Sequence, residues 1–133
     1  MIKKIVVILL VCSATLMLFV ACSGIPGGTA GNTSTSGSST EVHMGSQTFV
    51  QSTMTISKGS SLTLVDDVAV PHIIANGTWD NSIAKPMKET NAPEVNVHLT
   101  GNDKQVIGPF TTAGTYHLYC TVHPGMNLTV IVQ

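Results

Sequence analysis

The sequence predicts an all-β domain, a two-sheet sandwich of seven or eight strands, in residues 41–133. From about Glu41 onward, short segments alternate Val, Ile, Thr and aromatic residues with polar ones, and no helical periodicity lasts beyond a turn or two. Turn-forming Gly, Pro, Asn and Asp residues separate these segments at short intervals. A chain of 133 residues is long enough for one such core but not for two.

Eight alternating segments are the candidate strands of this domain. They are Thr48–Val50, Met54–Ser57, Ser61–Asp66, Val68–Ala75, Glu94–Leu99, Gln105–Phe110, Gly114–Cys120 and Asn127–Val132. Asn76-Gly77 has the composition of a turn and is assigned to one. Residues 78–93 show neither alternation nor a helical pattern, so we interpret them as a long excursion between strands.

The N-terminal segment, residues 1–21, has the plan of a secretory signal peptide, in which Lys3 and Lys4 precede an apolar run that extends to Val20. The run ends in LFVACSG, which resembles the lipobox of bacterial lipoproteins and predicts that Cys22 carries a lipid anchor. The alternative is an uncleaved anchor helix, although the run is slightly shorter than the roughly 20 residues that span a bilayer. Both interpretations place the domain outside the cytoplasm, at the outer face of the membrane.

Residues 22–40 consist mainly of Gly, Ser, Thr and Asn, a composition that buries no core and predicts a flexible tether. Beyond the signal peptide, four lysines stand against seven acidic residues, and the chain contains no Arg. Nucleic-acid binding is therefore not expected, because phosphate contacts need clustered basic side chains. Cys12 lies in the signal peptide and Cys22 at the lipid site, which leaves Cys120 with no disulfide partner in the domain.

Near the C-terminus, Cys120, His123 and Met126 follow one another at C-x-x-H-x-x-M spacing. Thiolate and thioether donors together with imidazole select copper, and two histidines with one cysteine and a weak axial Met describe a blue-copper electron-transfer centre. Zinc is the main rival metal, but a structural zinc site has little reason to recruit a thioether. The copper interpretation requires one more histidine.

The best candidate for that histidine is His72, which shares its strand face with the apolar Val70 and Ile74. Cys120 and Met126 are likewise in phase with the apolar residues of the last two strands. We therefore expect all three strands to direct a donor into the same end of the core.

The other histidines lack this arrangement. His98 and His117 are out of phase with their strands' apolar residues or lack donor neighbours, and we expect both to face solvent. His43-Met44 could bind copper weakly, but two adjacent donors make a poor site.

Pro71-His72 together with G-T-Y-x-x-x-C-T-x-H-P-x-M at the end of the chain resembles the cupredoxin family of blue type 1 copper proteins, above all its amicyanin-type and plastocyanin-like members. The resemblance covers roughly residues 42–133 and implies a Greek-key β-sandwich with one mononuclear type 1 copper. It implies equatorial and axial ligands at these positions: His72, Cys120 and His123 in the plane, and Met126 on the axis.

The chain departs from the family directly after the first histidine. The family usually has Asn there, bonded to the cysteine-bearing loop, whereas this chain has Ile73. Hydrogen bonds to the ligands and hydrophobic surroundings of the Cys120 sulfur tune the reduction potential of such a site. We therefore expect a higher reduction potential than in relatives with Asn.

These observations predict a membrane-tethered blue-copper protein that passes single electrons between redox partners. The resemblance implies a cytochrome, an oxidase, a dehydrogenase or a photosynthetic complex as partner, and we expect a monomer. Four ligands leave no open coordination position, so an enzyme is not expected. Two alternatives stay open: an extracytoplasmic copper carrier that delivers copper to a membrane enzyme, and a β-sandwich interaction module in which the C-x-x-H spacing is incidental.

Overall fold

The computed structural model describes residues 40–133, so the signal peptide, the lipid site at Cys22 and the tether up to residue 39 lie outside the described residues. Within the described residues there are nine strands: β1 (Glu41–Met44), β2 (Thr53–Ile56), β3 (Leu62–Asp66), β4 (His72–Asp80), β5 (Ile83–Pro86), β6 (Asn96–Leu99), β7 (Lys104–Ile107), β8 (Gly114–Cys120) and β9 (Asn127–Val132). This part of the chain has no helix of the length and apolarity that a membrane span requires.

The nine strands form two sheets. One has the order β1-β3-β7, with β1 parallel and β7 antiparallel to β3. The other has the order β2-β9-β8-β4-β5, with β6 also paired to β4. The predicted all-β sandwich is confirmed, and it has nine strands in residues 40–133 rather than seven or eight.

The predicted strand Thr48–Val50 is wrong. The first strand is β1, whose Val42 and Met44 side chains are fully buried, and the chain then turns so that the Gly45 N–H donates to the Thr48 carbonyl. Phe49 is buried as well, but it joins Met44 only through an isolated bridge. A buried residue between exposed ones in a turn imitates the alternation of a strand, which explains the error.

Asn76-Gly77 does not form the predicted turn, because β4 continues through it to Asp80. The Asn76 side chain accepts from the Val95 N–H and donates to the Pro93 carbonyl, so it fixes the segment that leads into β6. Gly77 has a φ of +132°, and a Cβ there would lie 2.5 Å from the Lys85 carbonyl oxygen. This glycine permits the close approach of a neighbouring strand.

Residues 78–93 are not a single excursion, since they contain the end of β4 and all of β5. Asn81 and Ser82, both with positive φ, connect the two strands in a two-residue hairpin loop. All four residues of β5 are exposed. A strand without a buried face carries no apolar alternation, so the sequence pattern did not indicate it.

The core lies between the two sheets and follows the alternation of the last two strands. Tyr116, Leu118 and Cys120 of β8 are at most 3% exposed, as are Leu128, Val130 and Val132 of β9. Each large apolar side chain buried in this way stabilises the fold by about 1.5–3 kcal/mol. His72, on β4, is also fully buried.

Candidate metal centre

The four predicted ligands come from the ends of three adjacent strands. His72 opens β4, Cys120 closes β8, and Met126 directly precedes β9, with His123 in the intervening loop. β4 and β8 are paired so that Ile74 lies opposite Cys120, and β8 pairs with β9 along its length. The sheet register therefore brings the predicted donors to one end of the sandwich.

Backbone hydrogen bonds hold the loop of residues 121–126. The Cys120 N–H donates to the Met126 carbonyl at 3.0 Å, and the Met126 N–H donates to the His123 carbonyl at 3.2 Å. The Thr121 N–H donates to the carbonyl of Ile73, next to the first histidine, at 2.8 Å. These bonds join the loop to itself and to β4, so the backbone sets the positions of the donors.

The donor atoms of two histidines converge on one sulfur. The Cys120 Sγ lies 3.7 Å from the His72 Nδ1 and 3.3 Å from the His123 Nδ1. The two imidazole rings are 4.9 Å apart between centroids, and the potential ligand atoms of the three residues all lie within 4.8 Å of one another. The structure therefore brings together three of the four ligands that the sequence predicts.

This arrangement fits a single copper ion. Ligand bonds of about 2.0–2.3 Å to one metal place the ligand atoms roughly 3–4 Å apart, as these Nδ1 and Sγ atoms are. Cys120 and His72 are fully buried, and His123 is half-buried at the surface. A donor set of one thiol and two imidazoles is one that copper favours.

Met126 is 2% exposed and belongs to the same hydrophobic cluster as Cys120. Its backbone is tied to both His123 and Cys120 by the loop hydrogen bonds. Its position at the entrance of β9 is compatible with an axial thioether, and its role as a ligand stays a prediction.

The electrostatic surroundings of His72 favour its neutral form. Burial lowers the pKa of His72, and the adjacent His123 acts in the same direction, while the Asp66 carboxylate and the Gly45 backbone carbonyl act against it. A neutral imidazole has a free ring-nitrogen lone pair, which a metal ion requires. His72 is thus prepared to bind a metal.

Trp79 is a residue of this site whose role the sequence does not indicate. Its indole N–H donates to the Cys120 carbonyl at 2.8 Å, and its ring meets Tyr119 edge-on with 5.8 Å between centroids. The Asn127 side chain binds the Trp79 backbone in both directions, accepting from its N–H and donating to its carbonyl. The signal available was the chain's single Trp, which lies within residues 78–93, the segment of no clear pattern.

The other described histidines lie apart from the centre. His43 pairs with Asp67 at 2.9 Å while Met44 is fully buried, and His98 is exposed on β6. His117 is partly exposed and pairs with the Glu89 carboxylate at 2.6 Å. Within residues 40–133, one group of three His, Cys, Asp or Glu residues has its potential ligand atoms close enough together to bind one metal ion. It consists of His72, Cys120 and His123.

Comparison with known proteins agrees with this site. Residues 37–133 match the family model of copper-binding proteins of the plastocyanin/azurin family. Plastocyanin from Ulva prolifera is 30% identical over 91 residues, which cover 67% of this chain and 90% of that protein, and plastocyanin from Ulva pertusa is 28% identical over the same coverage. The crystal structure of amicyanin from Paracoccus versutus has the same fold, with a TM-score of 0.54, 24% identity, and coverage of 70% of this chain and 79% of that one.

The family match spans well over half of the chain, and the predicted cupredoxin resemblance is confirmed. Members of this family are electron carriers and not usually enzymes. The chain belongs to the plastocyanin/azurin family of copper-binding proteins, and its cofactor is one type 1 copper ion.

Proposed function

We propose that this chain is a membrane-tethered blue-copper protein that shuttles single electrons between redox partners outside the cytoplasm. In this proposal His72, Cys120 and His123 are the equatorial ligands and Met126 is the axial ligand. The observation that carries the proposal is the convergence of both Nδ1 atoms on the Cys120 sulfur, at 3.7 and 3.3 Å.

The copper ion supplies a reversible one-electron change between Cu(I) and Cu(II). The protein's contribution is to keep the ligands in one geometry in both states. His72 and Cys120 lie on paired strands in a close-packed core, and the loop hydrogen bonds limit how far His123 can move. A site that changes shape little on oxidation and reduction needs little reorganisation to pass an electron.

His123 is the ligand nearest to solvent and the proposed exit for the electron. Beside it, Val122 is 49% exposed and both Pro124 and Gly125 are exposed. Residues 114–133 contain no Asp, Glu, Lys or Arg, so the surface that this segment offers is uncharged apart from any protonated histidine. Such a patch suits a brief encounter with a redox protein, and weak redox complexes typically bury less than about 1,200 Å².

The membership of the family implies a redox partner protein. A cytochrome, an oxidase, a dehydrogenase or a photosynthetic complex would each meet this requirement. The lipobox-like sequence at Cys22 and the Gly- and Ser-rich composition of residues 22–40 support a lipid anchor with a flexible tether. That arrangement would keep the copper domain near partners at the outer face of the membrane.

The visible absorption and electron paramagnetic resonance spectra of the Cu(II)-loaded protein test this function. We expect an intense thiolate-to-copper charge-transfer band and a narrow hyperfine splitting, both lost in Cys120→Ser. His98→Gln, a substitution at an exposed histidine of β6, is the matched control and should leave both spectra unchanged. A pale spectrum that Cys120→Ser does not alter would refute the blue-copper proposal and favour a copper carrier or a metal-free module.

A further inference from the structure

Asp66, the last residue of β3, is a buried carboxylate with incomplete hydrogen bonding. It is 1% exposed, and its Oδ1 accepts from the Val68 N–H at 3.2 Å, while its Oδ2 has no hydrogen-bond partner. A buried carboxylate is costly unless a charge or a donor compensates for it. The turn at Val68 needs only a neutral acceptor, which an Asn would supply at a lower desolvation cost. The turn therefore does not explain the carboxylate.

A second unsatisfied group near Asp66 belongs to His72. The His72 Nε2 makes no hydrogen bond of ordinary geometry and lies 3.9 Å from the Asp66 Oδ1, and both side chains are fully inaccessible to solvent. The other nitrogen of the same ring, Nδ1, faces the Cys120 sulfur. One ring nitrogen thus faces the metal centre while the other faces the acid.

A histidine bound to a metal through Nδ1 carries its proton on Nε2, and that N–H requires an acceptor. Two acceptors adjoin the ring, the Asp66 carboxylate and the Gly45 backbone carbonyl. The carbonyl is neutral, whereas the carboxylate also places a negative charge close to the metal centre. Because both side chains are inaccessible to solvent, such a charge is weakly screened and favours the more positive oxidation state of the metal.

We propose that Asp66 is a positioning residue that acts through His72, where it holds the imidazole in the Nε2–H tautomer and lowers the reduction potential of the copper site. This inference rests on the proposed function, because it takes His72 as a copper ligand. In this proposal β3 helps to set the reduction potential of the copper site, although its sheet contributes no ligand.

The test compares Asp66→Asn with Asp67→Asn. Asp66→Asn keeps the shape and an acceptor oxygen but removes the charge. Asp67→Asn makes the same change at the next residue, which is exposed and pairs with His43. We expect Asp66→Asn to shift the balance between Cu(I) and Cu(II) at least tenfold toward Cu(I), a rise of about 59 mV for a one-electron couple, and Asp67→Asn to shift it less than twofold.

A second measurement does not require copper. Nitrogen-15 NMR of the metal-free wild-type protein gives the tautomer of His72, and we expect the proton on Nε2 with its resonance displaced in Asp66→Asn but not in Asp67→Asn. An Nδ1–H tautomer in the wild type would overturn the proposal even if Asp66→Asn fails to fold. An unchanged potential with an unchanged Nε2–H resonance in Asp66→Asn would also overturn it and would leave Gly45 as the partner.

The two proposals can fail separately. A pale Cu(II) spectrum in the wild type would refute the blue-copper function whatever the NMR shows. A blue wild-type protein whose potential is the same in both Asn variants would retain the function and refute the role of Asp66.

Discussion

The indole N–H of Trp79 donates a hydrogen bond to the backbone carbonyl of Cys120, 41 residues further along the chain, at 2.8 Å. The Asn127 side chain holds the Trp79 backbone from the other end of the ligand loop. Trp79 therefore contacts the residues on both sides of the segment that carries His123 and Met126. It connects the end of β4 to the loop on which the metal centre depends.

Replacement of this tryptophan should loosen the loop. Trp79→Phe removes the bond to Cys120 and part of the contact with Tyr119, so we expect the free energy of unfolding to fall by about 1–3 kcal/mol. Denaturant titration of the metal-free protein measures this change. Val106→Ala, at a 67% exposed position of β7, is the control and should alter stability by less than about 0.5 kcal/mol. Equal effects of the two substitutions would contradict the importance of the hydrogen bond.

Met126→Leu should raise the reduction potential while the intense absorption band persists. The band arises from the Cys120 thiolate, whereas loss of an axial donor destabilises the electron-poor Cu(II) state more than Cu(I). The substitution nearly conserves volume and should cost less than about 1.5 kcal/mol of stability. Met54→Leu makes the same change at a half-buried methionine of β2. If both variants keep the wild-type potential, Met126 fills the core and does not bind the metal.

Ile73→Asn should lower the reduction potential. Ile73 is half-buried, and its carbonyl accepts from the Thr121 N–H at 2.8 Å, so its backbone lies beside the cysteine-bearing loop. A polar side chain there reduces the penalty that apolar surroundings impose on the more highly charged Cu(II) state. Voltammetry of Ile73→Asn and the apolar control Ile73→Leu measures the effect. A potential in Ile73→Asn at or above that of the control would refute the prediction.

Val122→Lys should slow electron exchange between copies of the protein. Two molecules that meet at the patch beside His123 would each bring a positive charge, and the like charges repel more strongly at low ionic strength. NMR line broadening in mixtures of the Cu(I) and Cu(II) forms measures the exchange rate. We expect a reduction of roughly tenfold at low salt that recovers as salt is added. Val106→Lys introduces the same charge at an exposed valine of β7, and a similar slowing in that variant would argue against the His123 exit.

Gly77→Ala should be strongly destabilising. The added Cβ would lie 2.5 Å from the Lys85 carbonyl and 2.9 Å from the Tyr119 ring, at a φ of +132°. Backbone strain of about 1–3 kcal/mol would be added to this clash. Gly59→Ala is the control, because Gly59 also has a positive φ but no atom within 4 Å of the added Cβ. Thermal unfolding should show a larger loss for Gly77→Ala, and equal losses would mean that the close packing of β4 against β5 is unimportant.

Local patterns predicted those parts of this protein that local chemistry determines. The spacing of Cys120, His123 and Met126 follows from a short loop between two strands, and the alternation around His72 places its side chain in the core. Both patterns act over a few residues, so they can be read along the chain. They were sufficient to predict the all-β class, the copper cofactor and the three donors that the structure brings together.

Where those patterns were weak or misleading, the prediction failed. β5 is exposed throughout and has no apolar face to indicate it. Asn76-Gly77 has the composition of a turn, yet Asn76 binds Pro93 and Val95 and Gly77 admits Lys85, contacts that no short window contains. An Asn-Gly pair can form a turn or can permit two strands to approach closely, and only contacts with residues distant in the sequence distinguish the two.

The sequence by itself determined which side chains can bind copper and that His72 and Cys120 lie on the core faces of their strands, because donor chemistry and strand alternation are local properties. The tertiary structure alone decided what surrounds them. Trp79 reaches Cys120 across 41 residues, and Asp66 approaches His72 from a strand of the other sheet. Such contacts depend on how the sheets pair and pack, and packing in a dense core is set by all the neighbouring residues together.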